Sequence, residues 1–258
     1  WGIAAGARVE TQGKDAYPVY LLSKEGKAGF ASAGEIVAGS QSAAGIFIEA
    51  APGGAQVINS GAISVGADAG AGISGASLGG DTLIANSGNI VKTGASVGGS
   101  GIAASHTASG GTLTLFNQGN ISSTGGQLDV GMQGVATGSG NVALLNGGAI
   151  GSATAPVADG LKGSAANASA SLNVVNTGRI DAQRSGIVAA SEGGFDIANS
   201  GIVAESADVA LSLSGAGALG GSVNNSGSLL ATSTALLSQT HGGLNLSNTG
   251  VLPAADGI

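Results

Sequence analysis

The chain has little of several residue types that stabilise or activate ordinary globular proteins. Its 258 residues include no cysteine, four prolines, 3% aromatic residues and 9% charged residues, whereas about 25% of the residues in a typical soluble domain are charged. Disulfide bonds therefore cannot hold this fold together. The four prolines argue against a collagen-like triple helix, and a hydrophobic share of 43% argues against simple disorder, which requires few apolar residues.

Basic residues and long apolar runs are also scarce. The chain has 8 Lys and Arg against 15 Asp and Glu, which gives a net charge of −7. The basic residues do not cluster as binding to a phosphate backbone requires, so nucleic acid is not an expected partner. No run of about 18 apolar residues occurs, and no membrane-spanning helix is predicted.

Motifs for cofactors and metals are absent or lack the necessary context. Segments 70–75 and 215–220 match the glycine pattern of dinucleotide-binding loops. Because Gly occupies 50 positions, about two such matches are expected by chance, and neither lies between a predicted strand and a helix. No Walker, HExxH or EF-hand pattern occurs. We therefore expect no cofactor and no bound metal.

What the chain does contain is a repeat: an Asn, a small or polar residue, a Gly, any residue and an apolar residue. The complete copies are Asn59/Gly61, Asn86/Gly88, Asn117/Gly119, Asn146/Gly148, Asn176/Gly178, Asn199/Gly201, Asn225/Gly227 and Asn248/Gly250. Their spacings are 27, 31, 29, 30, 23, 26 and 23 residues, within the range of solenoid repeats. We interpret Ser32/Gly34 and Thr11/Gly13 as degenerate earlier copies.

Two further features recur in each repeat. A short run of alternating apolar residues, such as TLTLF at 112–116, precedes the Asn. A small residue followed by an apolar residue comes later, in the pairs Gly2-Ile3, Gly45-Ile46, Gly72-Ile73, Gly101-Ile102, Gly131-Met132, Gly160-Leu161, Gly186-Ile187, Ala210-Leu211, Ala235-Leu236 and Gly257-Ile258. Alternation with period two predicts strands. The sequence therefore predicts an all-β fold, a right-handed parallel β-helix of about ten coils of 23–31 residues, with three short strands per coil.

The Asn motif is interpreted as a corner between two strands. Stacked coils would place the asparagines in one structural column, in which side-chain amides pass hydrogen bonds from coil to coil. Asn tolerates a left-handed backbone, the following Gly would allow a positive φ, and the next apolar residue would point into the core. The predicted column is Asn59, Asn86, Asn117, Asn146, Asn176, Asn199, Asn225 and Asn248.

The pattern N-[STQG]-G-x-[ILV], followed by a G-[ILM] strand, resembles the passenger regions of bacterial autotransporters and related β-helical adhesins. The resemblance covers nearly the whole chain, with residues 1–35 the poorest match. It implies an extracellular or bacterial cell-surface β-helix. We expect residues 1–35 to form N-terminal capping coils and residues 36–258 to form the regular β-helix. Because the sequence stops in mid-repeat, we also expect a fragment of a longer passenger.

The function predicted from this resemblance is that of an adhesin or structural stalk rather than an enzyme. Its expected partner is a glycan or protein on a host or neighbouring cell, and self-association is a further expectation. The alternative is a β-helical polysaccharide lyase or hydrolase, which needs clustered acids with Arg or Lys in one groove. Here the acids are spread along the chain at about one per coil, and Arg184 with Asp208 is interpreted as a surface ion pair.

Two groups of side chains invite a more specific interpretation. His106 and His241 are predicted to lie in solvated turns about five coils apart, too distant to cooperate. Trp1, Tyr17, Tyr20 and Phe30 concentrate four of the seven aromatic residues in the first 30 positions. An N-terminal cap is the favoured interpretation of these rings, and a carbohydrate or receptor contact by Trp1, Tyr17 and Tyr20 is the alternative.

The repeats differ in length at one place. From the apolar residue after the Asn corner to the apolar residue of the next pair, the step is 10–12 residues between Ile63 and Leu161 and 6–8 residues afterwards. The earlier coils should therefore be wider or carry outward loops. Because variable loops on a rigid scaffold commonly carry recognition, binding is predicted to map to segments 66–71, 92–100, 123–129 and 152–159.

Overall fold

The computed structural model describes residues 1–13, 15–39, 44–50, 52–66, 70–107, 109–204, 207–215 and 219–253. The regular secondary structure of these residues consists entirely of β-strands. In chain order the strands are β1 (Gly2–Ile3), β2 (Arg8–Thr11), β3 (Val19–Ser23), β4 (Ala28–Ser32), β5 (Glu35–Ala38), β6 (Ala44–Ala50), β7 (Ala55–Asn59), β8 (Ala62–Val65), β9 (Ala71–Ser77), β10 (Thr82–Asn86), β11 (Asn89–Lys92), β12 (Ser100–His106), β13 (Thr112–Asn117), β14 (Asn120–Ser123), β15 (Val130–Ala136), β16 (Asn141–Asn146), β17 (Ala149–Ile150), β18 (Val157–Ala165), β19 (Ser171–Asn176), β20 (Arg179–Ile180), β21 (Ala182–Ser191), β22 (Gly194–Asn199), β23 (Ile202–Val203), β24 (Val209–Gly215), β25 (Gly221–Asn225), β26 (Ser228–Leu229), β27 (Thr234–Thr240) and β28 (Leu244–Asn248).

These strands form three parallel sheets that every coil crosses in turn. Sheet A contains β1, β4, β7 and each third strand to β28; sheet B runs from β2 to β26, and sheet C from β3 to β27. All the inter-strand pairings join a strand to its counterpart one coil away, in parallel. The molecule is thus a parallel β-solenoid of about nine turns with three strands per coil, and the predicted β-helix is confirmed.

The core follows from the strand alternation. Side chains at every second position point inward, and equivalent residues stack in columns along the rod. In sheet B the apolar residues after the corner form the buried column Ile36, Ile63, Ile90, Ile121, Ile150, Ile180, Val203 and Leu229. In sheet C the buried column is Ile46, Ile73, Ile102, Met132, Leu161, Ile187, Leu211 and Leu236.

The small residue before each sheet C apolar residue has a packing reason. A Cβ on Gly101 would overlap the Cγ2 atom of Ile121, and one on Gly131 would overlap that of Ile150. The isoleucine of sheet B therefore packs directly on the backbone of sheet C. This close approach explains why the repeat pairs Gly with an apolar residue in most coils.

The first coil departs from the predicted alignment. Gly2 and Ile3 pair with Ala31 and Ser32 in sheet A, so Ile3 lies in the Asn column rather than in the sheet C column. Thr11 pairs with Ala38 in sheet B and does not occupy a corner. Both assignments were wrong because β1 lies in sheet A and the first corner is the four-residue turn 4–7, with Gly6 at a φ of 79°, which lacks the Asn-x-Gly pattern. Gly257-Ile258 lies outside the described residues, and the capping role of residues 1–35 stays a prediction.

Candidate functional site

The asparagine column is a continuous ladder of side-chain hydrogen bonds. Each Asn Nδ2 donates to the Oδ1 of the Asn one coil further along, at 2.7–2.9 Å, from Asn59 to Asn248. The same Nδ2 donates to the carbonyl of the Gly two residues later, at 3.0–3.4 Å. Seven of the eight side chains are nearly inaccessible to solvent. The ladder therefore fixes the register of the coils from inside the structure.

The corner glycines have a different role from the one predicted. None of them has a positive φ among the described residues, and neither does any of the column asparagines. Instead, a Cβ on Gly119 would overlap the carbonyl oxygen of Gly88, and each corner glycine from Gly61 to Gly250 meets its predecessor in the same way. Gly is required because successive corners stack backbone on backbone, so the expectation of left-handed conformation was wrong.

The ladder ends at Ser32, the degenerate copy in the coil before Asn59. Ser32 pairs in register with Asn59, and the side chains of both are buried. Neither the Ser32 Oγ nor the Asn59 Oδ1 has a hydrogen-bond partner. Serine is too short to span the distance that an Asn amide spans between coils. One acceptor at the N-terminal end of the ladder is consequently unsatisfied.

The variable loops leave the rod at the edge between sheets B and C, which we call the loop edge. Connections 93–99, 124–129 and 151–156 span seven, six and six residues, against one residue at Asp181 and four at 230–233. The loops are anchored at their bases. The Lys92 ammonium is buried and donates to the carbonyl of Gly98 at 2.9 Å, and Leu128 is buried in the core. Residues 67–69 of the predicted segment 66–71 lie outside the described residues.

Farther along the loop edge, one arginine bridges acids from two earlier coils. The guanidinium of Arg184 donates to both carboxylate oxygens of Asp159, at 3.0 and 2.6 Å, and to Asp129 at 3.3 Å. Asp159 is buried, and its hydrogen bonds raise the pKa of Arg184 above the usual arginine value. Beside them the Gln127 amide donates to Gln183 at 2.8 Å, across two coils. We call these five side chains the edge network.

The predicted ion pair between Arg184 and Asp208 is wrong. Within the described residues Arg184 pairs with Asp159 and Asp129, whereas the Asp208 carboxylate accepts a hydrogen bond from Thr232. The register of β18 and β21 shifts between Val157 and Asp159, so β21 carries one extra residue there. A bulge of this kind re-aims the neighbouring side chain. The bulge turns Arg184 toward the preceding coil. The spacing of residues in the sequence does not reveal this bulge.

The two histidines occupy different environments. His106 is completely buried at the end of β12, and its Nε2–H donates to the Gly110 carbonyl at 2.7 Å while its Nδ1 has no partner. The expectation of a solvated turn was wrong for His106, because its position pairs with the inward-facing Ser77 and Ala136. His241 is exposed after β27, five coils along the same sheet. The two imidazoles are too far apart to act together.

The N-terminal aromatic residues do not share one environment. Trp1 is 97% exposed, and only Phe30 is buried. Tyr17 and Tyr20 instead form a cluster with Phe47 on the outer surface of sheet C. This arrangement leaves ring surfaces available to a ligand.

The chemistry available on this surface is limited. No group of three His, Cys, Asp or Glu side chains that could hold a metal occurs among the described residues. Asp159 is enclosed by Arg184 and is not presented as an acid or base.

No helix in the described part of the chain has the length and apolar character needed to cross a membrane.

Comparison of the chain with protein-family models, with curated proteins and with solved structures gives no significant match.

Proposed function

We propose that the chain is the β-helical stalk of an adhesin of the autotransporter-passenger type, acting outside the cell or at its surface. The observation that supports this most directly is the constancy of the Asn ladder across coils of different length. Asn86 and Asn117 are 31 residues apart and Asn176 and Asn199 are 23 apart, yet both pairs bond at 2.8 Å. A rod of this kind keeps its shape while its loops change.

Recognition in this proposal belongs to the loop edge. The loops at 93–99, 124–129 and 151–156 lie on successive coils, so about 5 Å of rod separates each from the next. Val97 at the tip of the first loop is 68% exposed. Side chains there can change without disturbing the ladder, and this is where a partner on another cell would be contacted.

The alternative, a carbohydrate-active enzyme, has weaker support. Glycoside hydrolases use two carboxyl groups that flank the scissile bond and remain open to substrate and water. In the edge network Asp159 is buried and both of its oxygens bind Arg184. Asp129 alone is left exposed, and one acid does not make that catalytic pair.

The test is to shorten segments 66–71, 92–100, 123–129 and 152–159, one at a time, to the length of the later connections. Bacteria displaying each variant are then scored for attachment to host and neighbouring cells. We expect attachment to fall for at least one variant while circular dichroism still shows β-structure. Shortening residues 166–170, at the edge between sheets C and A, to the two-residue length of 192–193 is the matched control.

Two outcomes would overturn the proposal. If attachment survives all four shortenings, the loop edge is not the surface that recognises the partner. Cleavage of a polysaccharide by the purified chain, at a rate that falls when Asp129 is changed to Asn, would favour the enzyme.

A further inference from the structure

The outer surface of sheet C carries an aromatic cluster that the stalk does not need. Tyr20 and Phe47 are neighbours in register, and their rings stack with centroids 5.5 Å apart and planes 2° apart. Tyr17 lies against both, 4.9 Å from Phe47 and 5.6 Å from Tyr20. Tyr20 is 48% exposed. Because these rings face outward, they do not contribute to the core. Core packing therefore does not explain why the sequence has aromatic residues at these positions.

Beyond Phe47 the same surface becomes a shallow groove. In the column of Phe47 the next coils carry Ser74, Ala103 and then Gln133. Together with Ser105 and Val135, these residues line a depression of about 290 Å³. Because Phe47 stacks on Tyr20 along the rod axis, its opposite face is directed toward Ser74 and the floor of this groove. The aromatic cluster is not part of the lining itself but lies one coil before Ser74, at the N-terminal end of the groove.

We propose that the groove lined by Ser74, Ala103, Ser105 and Gln133, together with the adjoining ring of Phe47, binds sugar rings of a neutral glycan. The face of an aromatic ring carries partial negative charge, which complements the polarised C–H bonds on the flat side of a pyranose. Serine hydroxyls and the Gln133 amide offer both donors and acceptors to sugar hydroxyls. This combination of an apolar face with a few placed polar groups is typical of small-ligand sites.

Size and charge narrow the choice of ligand. Small-molecule pockets usually measure about 300–1,000 Å³, so a depression of 290 Å³ suits one or two sugar rings. Protein partners usually cover about 800 Å² on each side, more than this groove presents. The nearest charges in the two outward columns are Glu49 at one end and Lys162 at the other. No basic cluster is present in the groove to favour an acidic polysaccharide.

This inference rests on the proposed function in one respect, because it takes a glycan as the partner of an adhesin. It places the binding site on sheet C rather than on the loop edge. The probes are cellotriose, maltotriose, mannotriose and N-acetylchitotriose, titrated into the purified chain by calorimetry and followed by saturation-transfer NMR. We expect at least one of the four to bind.

Two substitutions in the Phe47 column introduce residues that other coils already carry at the equivalent position. Phe47→Ser copies Ser74, and Ala103→Lys copies Lys162 and fills the groove. Each should weaken binding of that trisaccharide at least tenfold with an unchanged β-sheet spectrum. Phe116→Ala is the matched control. It removes a partly exposed ring from sheet A, where the preceding coil has Ala85, and it should leave the affinity unchanged.

Several results would overturn the inference. These are failure of all four trisaccharides to bind, binding that survives both Phe47→Ser and Ala103→Lys, or binding of a proline-rich peptide in the groove in place of sugar. Failure here is distinguishable from failure of the proposed stalk. If the loop shortenings abolish cell attachment while no trisaccharide binds, the loop-edge proposal stands and only the groove assignment falls.

Discussion

The coils before and after β17 differ in cross-section but share one core. Up to β14, each sheet B strand has four residues, whereas from β17 onward each has two. The Asn ladder and the sheet B isoleucine column run through this change without interruption. Sheet A and the corner between sheets A and B are therefore the most constant part of the coil, whereas the sheet C strands lengthen from seven residues in β15 to nine in β18 and ten in β21. The loop edge takes the largest share of the variation in length, from seven residues at 93–99 to one at Asp181, and the edge between sheets C and A varies less, from five residues at 166–170 to two at 192–193.

The two halves also stabilise that edge differently. The earlier coils anchor their loops with buried groups such as Leu128 and Lys92. Around the shortest connection, which is Asp181 alone, the contacts are charged. Arg184 reaches across to Asp159, and Arg179 holds Asp181 through two bonds of 2.7 Å. At this shortest connection ion pairs cover the edge, whereas the connection at 230–233 again buries an apolar residue, Ala231.

The largest expected effect tests the most constant part directly. Gly148→Ala places a Cβ into the carbonyl oxygen of Gly119, so the stacked corner must open. Overpacking against backbone should cost about 3 kcal/mol of unfolding free energy, measured by urea denaturation. Gly147→Ala, one residue earlier, is the control, because its Cβ would meet Thr177 Oγ1 at an ordinary 3.4 Å. Equal midpoints for the two variants would contradict backbone stacking.

The ladder should be the next most sensitive feature. Asn117→Ala leaves Asn86 Nδ2 without its acceptor and Asn146 Oδ1 without its donor, both buried. The expected loss is about 1–3 kcal/mol, from denaturant melts. Asn120→Ala in the same coil is the control, since Asn120 donates to Asn89 at 3.2 Å on the exposed surface. Its effect should stay within about 0.5 kcal/mol.

The ion pairs of the later coils should matter less than the ladder. Arg184→Ala leaves the buried Asp159 carboxylate without its partner, which we expect to cost about 1–2 kcal/mol because Arg184 itself is more than half exposed. Arg8→Ala breaks contacts to Glu10 and Glu35 on the open surface and should leave the thermal midpoint unchanged. A larger loss for Arg8→Ala would show that burial does not set these energies.

The smallest predicted effect is a gain. Ser32→Asn would extend the ladder by one position and give the Asn59 Oδ1 the donor that it lacks. One additional buried hydrogen bond should raise the unfolding free energy by about 1 kcal/mol. Ser60→Asn, at the exposed position beside Asn59, controls for composition. A destabilised Ser32→Asn variant would mean that the column cannot hold a side chain longer than serine at this end.

The sequence was sufficient to predict the coils, the three strands in each and the buried column of sheet B, because each leaves a periodic trace. The stacking of the asparagines follows from the same period. The reason for the corner glycines was missed, since a repeated Gly reports equally on positive φ and on close backbone approach. The stacking of Gly119 on Gly88 in the structure identifies close backbone approach as the reason.

The candidate sites were harder to foresee. The edge network depends on the bulge in β21, which a one-residue change in register creates without any motif. The groove beside Phe47 depends on which small residues follow it in one column, across spacings of 27–30 residues. The aromatic residues were visible in the sequence, but their outward direction depends on the alignment of β3 with β6. That alignment was obscured by the irregular first coil.

The direction of the inter-coil hydrogen bonds has a mechanical consequence. In a solenoid these bonds run along the rod axis, so a pull from end to end loads three sheets and the Asn ladder together at every junction. The rod should resist such a pull until one junction opens. The coil released there holds 23–31 residues, which extend to about 80–110 Å of chain in place of about 5 Å of rod. A rod pulled from both ends would therefore lengthen one coil at a time.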